Sequence, residues 1–349
     1  MKIYKTIACI VFFIFWFKMT YLYYHSSSLI LNEIFEPKSK FNFSSDLLVF
    51  IHIEKTGGTL FQDKFVQNLT IFDKKQNKTK AACRLRPKNK YYYNCFRDEK
   101  ITNLSSIDAN WILMRRTVGW LCGVHSDYTK IKACVEKKKI EKKFIKNVHF
   151  ITILRDPTLR YISEWLHMAR SMKKGYINIP VFNETHNVCN QEVVLSKCIP
   201  GLELDDDLTL EKFLKCENNL AENRQTRLLA DYSETQENCS LFRKNSKKEL
   251  LENAIKVLES LSFFALNEYE DLSLKLFEKQ FNNFKFNVTI KQDKYKTLTL
   301  NYMKTLNKEV IEKIDKANHL DWKLYEYAKL LFFERIKFYG ISTNLNNIP

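Results

Sequence analysis

Short apolar runs alternate with amphipathic stretches along most of the chain, and this alternation predicts an α/β fold. Three runs have the length and the β-branched and aromatic content of buried strands: Leu47–Ile53, Val148–Leu154 and Leu261–Leu266. A shorter apolar stretch at Trp111–Met114 predicts another strand. Because strands that alternate with helices favour parallel pairing, we expect a central parallel sheet flanked by helices.

Helical spacing follows these strands. Phe61, Phe65 and Leu69 recur at four-residue intervals, so a helix is expected over Thr59–Leu69. Further helical patterns occupy Leu208–Leu229, Glu268–Phe281 and Lys308–Lys337.

The first 45 residues predict a membrane anchor and a stem. Two lysines precede an apolar stretch that Lys18 interrupts, and a lysine near a helix end can extend to the membrane surface. The alternative is a cleaved signal peptide, but no small-residue cleavage site follows the apolar stretch. The expected organisation is a cytosolic tail (1–5), a signal-anchor transmembrane helix (6–24), a stem (25–45), a luminal domain (46–338) and a C-terminal tail (339–349).

Composition narrows the class of partner. The chain has 349 residues, 45% apolar and 28% charged, which excludes a disordered chain. Its 56 basic residues exceed its 40 acidic residues, and the net charge of +16 predicts an anionic partner such as nucleic acid, a membrane surface or an acidic glycan. A luminal domain argues against nucleic acid.

Cysteine usage agrees with the secretory pathway. All cysteines except Cys9 lie beyond the expected anchor, an even number that predicts up to four disulfides of open connectivity. The basic segment 74–100 shows neither helical nor strand periodicity, which predicts a loop held through Cys83 and Cys95. N-x-S/T sequons along the chain give weak support for a glycosylated luminal protein.

A glycine loop at the first strand-to-helix junction predicts a phosphate site. Its residues are Lys55, Thr56, Gly57, Gly58 and Thr59. The glycines let the backbone approach an anion, and free amides at a helix start point toward it. The lysine adds a full charge and the threonines add hydroxyl donors. A Walker A loop has its lysine after the glycines, so the residue order argues against a nucleoside triphosphatase.

A second anion site is predicted after the second long strand. Asp156 is a good helix cap and Pro157 suits the first helical position, which leaves Arg155 at the carboxyl end of the strand. The helix then carries three polar residues at three- and four-residue spacing: Arg160, Ser163 and His167. The alternative is that Arg155 pairs with a structural carboxylate and that Ser163 is merely exposed.

Among the histidines, His125 is the candidate general base. It follows a glycine-containing loop that can expose it, whereas His52 and His149 lie within predicted strands. A neutral histidine suits proton abstraction near neutral pH. His52 ends the first strand beside the glycine loop and remains the competing candidate.

Five segments together resemble the heparan sulfate 6-O-sulfotransferases, which use the donor 3′-phosphoadenosine 5′-phosphosulfate (PAPS). They are FIHIEKTGGTLFQDKFV, GWLCGVHSDYT, ITILRDPTLRYISEWLH, NNLAENRQTRLLADYS and LDWKLYEYAKLLF. Leu60 departs from the family, which usually has threonine there. Glu54 and the lysine-rich insert at 137–146 also look divergent.

The resemblance implies a P-loop sulfotransferase-type α/β domain, luminal in the Golgi membrane, that uses no metal and sulfates the glucosamine 6-hydroxyl of heparan sulfate. It implies that Lys55–Thr59 bind the 5′-phosphosulfate and that Arg155 and Ser163 bind the 3′-phosphate. His125 would be the base, and Lys55 would stabilise the charge on the leaving phosphate. The expected acceptor contacts are Trp120, Trp165, His167, Arg116 and Arg160.

Two other functions are compatible with parts of the sequence. The D-x-D pattern within Asp205–Asp207 is typical of metal-dependent glycosyltransferases, although aspartates before a helix are ordinary capping residues. A non-catalytic heparan-binding membrane protein would need the basic surface but neither phosphate site.

Overall fold

The computed structural model describes residues 41–73, 78–87, 89–97, 110–141, 144–172, 208–216, 219–231, 247–287 and 294–342. The strands within these ranges are β1 (Asp46–Ile51), β2 (Leu69–Asp73), β3 (Lys78–Ala81), β4 (Arg84–Arg86), β5 (Asn89–Asn94), β6 (Ile112–Leu113), β7 (Asn147–Leu154), β8 (Phe263–Leu266) and β9 (Phe284–Phe286).

Helices connect and cover these strands. They are α1 (Gly58–Asn68), α2 (Arg115–Val118), α3 (Tyr128–Glu141), α4 (Pro157–Met172), α5 (Leu210–Leu214), α6 (Arg224–Leu229), α7 (Lys247–Ser260), α8 (Glu270–Gln280), α9 (Lys294–Met303), α10 (Lys308–Ala317) and α11 (His319–Phe338). A short 3₁₀ turn, Asn267–Tyr269, joins β8 to α8.

A parallel sheet with the strand order β6-β1-β7-β8 forms the centre of the fold, as the sequence predicts. In its register, Phe50 of β1 lies opposite Ile151 of β7, which lies opposite Phe263 of β8. Every residue of β1 and β8 is buried, because helices cover both faces of a parallel sheet.

The carboxyl ends of the four strands meet at one edge of this sheet. The residues that follow them are Glu54 and Lys55 after β1, Arg115 after β6, Arg155 after β7 and Asn267 after β8. Ligands of open α/β sheets bind at this edge, so the topology gathers these five side chains at the expected binding site.

The segment 74–100, expected to be a loop, instead contains antiparallel strands in its described part. β2 pairs with β3 and β9, and β4 pairs with β5. The Cys83–Cys95 disulfide, a pairing that the sequence left open, closes the β4–β5 hairpin at its base. These strands are short, and the residues of the hairpin are largely exposed, so their sequences lack the apolar alternation of a buried strand.

Two predicted long helices are each divided. The pattern Leu208–Leu229 forms α5 and α6, and Lys308–Lys337 forms α10 and α11. Asn223, at φ +47°, precedes α6, and Asn318 separates α10 from α11. The Asn223 backbone N–H donates to Asn318 Oδ1 at 3.2 Å, and Asn223 Nδ2 donates to the Ala317 carbonyl at 2.9 Å. The residues at which the two helical patterns are interrupted are therefore hydrogen-bonded to each other.

The boundary between stem and domain lies earlier than the sequence predicts. Phe41 is 3% exposed, and its ring centroid lies 5.7 Å from that of Trp111 and 5.5 Å from that of Phe284. Residues 41–45 therefore belong to the domain, with Phe41 in its core. The expected anchor and the remainder of the stem lie outside the described residues, among which no helix has the length and apolar character needed to span a bilayer.

Two residues of α4 that were expected to contact the acceptor belong to the core. Arg160 is completely buried and donates to the Glu164 carboxylate and to the Ala221 carbonyl. Trp165 donates from Nε1 to the Leu208 carbonyl at 2.8 Å. Residues that include Leu208, Phe213 and Ala221 cover this side of α4. The spacing of polar residues along α4 does not reveal this cover, and the sequence therefore wrongly predicts that this side of the helix faces a ligand.

We predict that Arg160→Met lowers the free energy of unfolding by about 3–5 kcal/mol, because it removes one member of a buried ionic cluster. Urea denaturation measures the change, with Ser163→Ala as the control on the same helix. A loss below about 1 kcal/mol for Arg160→Met would contradict a structural role of this arginine.

Candidate active site

The glycine loop between β1 and α1 has a backbone that only certain residues tolerate. Lys55 and Gly57 adopt positive φ angles of 62° and 91°. Asn267 Nδ2 donates to the Thr56 carbonyl at 3.0 Å, and a Cβ atom on Gly57 would lie only 2.2 Å from that nitrogen. Gly58 is confined as well, because its Cβ position lies 3.2 Å from the His52 ring. The loop therefore requires glycine at position 57, and at position 58 a side chain would have to displace the His52 ring by a few tenths of an ångström.

Thr56 does not present its hydroxyl to a ligand. The residue is fully buried, and its Oγ1 donates to the Ile53 carbonyl at 2.9 Å. Its side chain thus stabilises the loop from within, which corrects the expectation of a second hydroxyl donor. Thr59 is exposed and lines the cavity above the loop.

One cavity of about 480 Å³ lies at the carboxyl edge of the sheet, within the usual size range of ligand pockets. Sequence-predicted residues that line it are Lys55, Gly57, Gly58, Thr59, Arg155, Ser163, His125 and His167. The structure therefore brings the glycine loop, the second anion site and the candidate base together, although they lie up to 112 residues apart in the chain.

Hydrogen bonds hold both the backbone and the guanidinium of Arg155 in place. The side chain of Gln225 accepts from the Arg155 N–H and donates to the Arg155 carbonyl, each at 2.9 Å. The guanidinium donates to the Lys55 carbonyl at 3.0 Å. This arginine therefore also bonds the glycine loop, whereas Ser163 reaches the same cavity from α4.

The ammonium of Lys55 is unusually easy to deprotonate. Burial, together with the charges of Arg170 and Arg155, outweighs the opposing charges of Glu164 and Glu54 and lowers the pKa of Lys55 to about 8. At neutral pH most of the lysine is still protonated, so the loop presents a poorly solvated cation to the cavity.

Two buried carboxylates that the sequence did not identify, Glu54 and Glu164, line the same cavity as these cations. Arg224 joins them, because its Nη1 lies 3.0 Å from Glu54 Oε1 and its Nη2 donates to Glu164. Although burial opposes ionisation, Arg224 and then Arg160 lower the pKa of Glu164 to about 2. The partners are 60 and 170 residues apart in the chain, a separation that no local pattern reveals.

His125 occupies a strained position beside one of these carboxylates. Its φ angle is 47°, and its Nδ1 lies 3.6 Å from Glu54 Oε1. The Trp120 ring centroid lies 4.5 Å from that of the imidazole. A disulfide between Cys122 and Cys134 ties this loop to α3. The side chain is thus held between an acid and an aromatic ring at the cavity wall.

The competing histidine, His52, is in a different environment. It is buried, and its Nδ1 lies 2.6 Å from Gln62 Nε2. Burial, followed by the charges of His125, Arg115 and Lys55, lowers the pKa of His52 well below its usual value. Its ring centroid lies 5.0 Å from that of His125, so it also packs against the candidate base.

The two neighbouring arginines of α2 have different partners. Arg116, expected to contact the acceptor, pairs with Asp63, whose Oδ2 accepts from Nη2 at 2.7 Å. Arg115, which the sequence analysis did not select, lines the cavity. Its position after β6 is the signal that could have identified it, as for Asn267 after β8.

Comparison with known proteins gives a consistent result. A model of the sulfotransferase family matches residues 41–328. The chain is similar to heparan-sulfate 6-O-sulfotransferase 2 of Homo sapiens, at 34% identity over 303 residues that make up 84% of this chain and 46% of that protein. It thus spans less than half of that relative's length.

Other relatives are covered more fully. Heparan-sulfate 6-O-sulfotransferase 2 of Gallus gallus is 32% identical over 84% of this chain and 68% of its own length. Heparan-sulfate 6-O-sulfotransferase 1 of Homo sapiens is 32% identical over 84% of this chain and 67% of its own length.

We predict that Lys55 titrates near pH 8, far below an ordinary lysine, because burial disfavours its charged form. Reductive methylation with ¹³C-formaldehyde should give one dimethyl-lysine NMR resonance that titrates in this range. The resonance should be absent from Lys55→Arg. Titration of every lysine resonance near pH 10 would contradict the prediction.

Proposed function

The chain belongs to the sulfotransferase family, and on this basis we propose that it transfers a sulfuryl group from PAPS to the 6-hydroxyl of glucosamine residues in heparan sulfate. The observation that carries the proposal is the single cavity in which the glycine loop, Arg155, Ser163 and His125 converge. The acceptor is inferred from relatives named heparan-sulfate 6-O-sulfotransferases.

The cavity fits a donor with phosphate groups at two ends. Neither Gly57 nor Gly58 carries a Cβ atom, so the backbone can approach the 5′-phosphosulfate closely while Lys55 supplies charge. Arg155 and Ser163 would hold the 3′-phosphate. The donor supplies an activated sulfuryl group, and these cations and amides bind it without a metal ion.

His125 would accept the proton of the acceptor hydroxyl. Glu54, 3.6 Å from Nδ1, favours the tautomer with hydrogen on that nitrogen and leaves Nε2 free to accept. As the proton moves to Nε2, the acceptor oxygen bonds to sulfur and the bond from sulfur to the phosphate oxygen breaks. Lys55 stabilises the negative charge that develops on that oxygen.

The proposal also includes the cellular location of the protein and its contacts with the acceptor. Disulfides at Cys83–Cys95 and Cys122–Cys134 support the lumen of the secretory pathway. Anchoring in the Golgi membrane rests on the sequence pattern of residues 6–24. Trp120 and His167 stay proposed acceptor contacts. Asp205–Asp207, on which the glycosyltransferase alternative depends, lie outside the described residues.

The decisive experiment is a transfer assay with the purified full chain, labelled PAPS and desulfated heparan sulfate. We expect label at the glucosamine 6-hydroxyl and none with Lys55→Ala, because the mutant lacks the charge that stabilises the leaving group. Disaccharide analysis of the product identifies the labelled position.

Donor binding provides the control for this assay. Arg155→Ala should weaken the binding of adenosine 3′,5′-bisphosphate about ten- to a hundredfold, because it removes charge-assisted hydrogen bonds. Circular dichroism verifies that each variant is folded. Transfer to another sugar position, or transfer that depends on added manganese, would overturn the proposed activity.

The role of the base predicts different effects for two histidine variants. His125→Ala should reduce turnover by about 10²-fold or more with little change in donor affinity, since it removes the proton acceptor but no phosphate contact. His52→Ala should retain more turnover, because Nδ1 of His52 already contacts Gln62. Single-turnover rates and calorimetry separate the two quantities. Loss of turnover only in His52→Ala would show that His52 is the base.

A further inference from the structure

The guanidinium of Arg115 is held by aromatic rings instead of an acidic partner. Its central carbon lies 5.3 Å from the Trp120 ring centroid and 5.5 Å from the Tyr91 ring centroid. Within the described ranges, no carboxylate or carbonyl oxygen accepts a hydrogen bond from its nitrogen atoms. Stacking orients the plane of a guanidinium and leaves its fork of N–H donors available.

The adjacent arginine, Arg116, differs from Arg115 because it has an acidic partner. Arg116 stacks on the same ring, with its central carbon 4.0 Å from the Tyr91 centroid, but its charge is neutralised by Asp63. Tyr91 is 39% exposed and lies on the β4–β5 hairpin that the Cys83–Cys95 disulfide closes. The hairpin therefore provides a fixed aromatic surface that supports one paired arginine and one available arginine.

The available arginine lies close to the proposed base. Arg115 lines the same cavity as Lys55 and His125. The Trp120 ring contacts both Arg115, at 5.3 Å, and His125, at 4.5 Å. Arg115 and His125 therefore lie on one aromatic ring, close enough for a group bound by Arg115 to belong to the sugar next to the reacting one.

We propose that Arg115 binds the carboxylate of the uronic acid next to the glucosamine that is sulfated, an assignment that rests on the proposed function. Uronic acids alternate with glucosamine in this polysaccharide, so every reactive sugar has a carboxylate neighbour. A planar guanidinium binds a carboxylate through two parallel hydrogen bonds, which fixes orientation as well as position. Arg115 would thereby place the 6-hydroxyl opposite His125.

The test compares acceptors with and without each anionic group. The acceptors are N-sulfated heparosan, N-acetylheparosan, which has carboxylates but no sulfate, and carboxyl-reduced N-sulfated heparosan. The purified full chains are wild type, Arg115→Gln, Arg115→Lys and Arg84→Gln. Arg84→Gln is the control, because it removes the same charge as Arg115→Gln from an exposed position on the β4–β5 hairpin.

We expect Arg115→Gln to lower kcat/KM about ten- to a hundredfold on both carboxylated acceptors, because two charge-assisted hydrogen bonds are lost. On the carboxyl-reduced acceptor it should match wild type. Arg115→Lys should recover only part of the loss, since an ammonium lacks the planar fork. Arg84→Gln should behave as wild type, and the affinity for adenosine 3′,5′-bisphosphate should not change.

Three results would overturn the assignment. An equal loss on the carboxylated and carboxyl-reduced acceptors would indicate a structural role, and a loss confined to the N-sulfated acceptors would assign the sulfate as the ligand. A weaker affinity of Arg115→Gln for the nucleotide would place Arg115 in the donor site. Failure of the wild type to sulfate any acceptor would instead overturn the proposed function itself.

Discussion

The bridge between Arg224 and two buried carboxylates is the interaction on which the site depends. Its guanidinium contacts Glu54 on the loop after β1 and Glu164 on α4, and thereby joins three separate segments at the cavity. Without this cation, two uncompensated negative charges would lie at the cavity that Lys55 and Arg155 line. Removing one member of such a buried cluster leaves an uncompensated charge, which is among the costliest changes in a protein interior.

The two carboxylates of this bridge also affect the protonation of Lys55 in the cavity. Glu164 and Glu54 partly offset the effect of burial on Lys55, so that the lysine remains mostly protonated at neutral pH. Glu54 has a second contact, with His125, and so connects the glycine loop with the histidine. The charge of Lys55 and the surroundings of His125 therefore both depend on Glu54, and a change at Glu54 would affect both residues.

The sequence predicts those features that depend on the spacing of neighbouring residues. It does not predict features that depend on contacts between segments far apart in the chain. The buried strands and the glycine loop have clear local patterns, and the cap of α4 is confirmed by the hydrogen bond from the Leu159 N–H to Asp156 at 2.8 Å. Arg160 was misjudged because the chain that covers it begins some 50 residues later. The division of the long helices depends on bonds between Asn223 and Asn318, which no periodicity reports.

The disulfide between Cys122 and Cys134 has a consequence for the biogenesis of the protein. It joins the segment carrying His125, which has a strained backbone, to a helix on the periphery of the sheet. Folding of the sheet alone cannot supply this covalent restraint. Because such a bond forms only in an oxidising compartment, a chain with reduced cysteines would lack this restraint on the segment that carries His125. Thiol oxidation would thus be a step in shaping the cavity wall at which His125 lies.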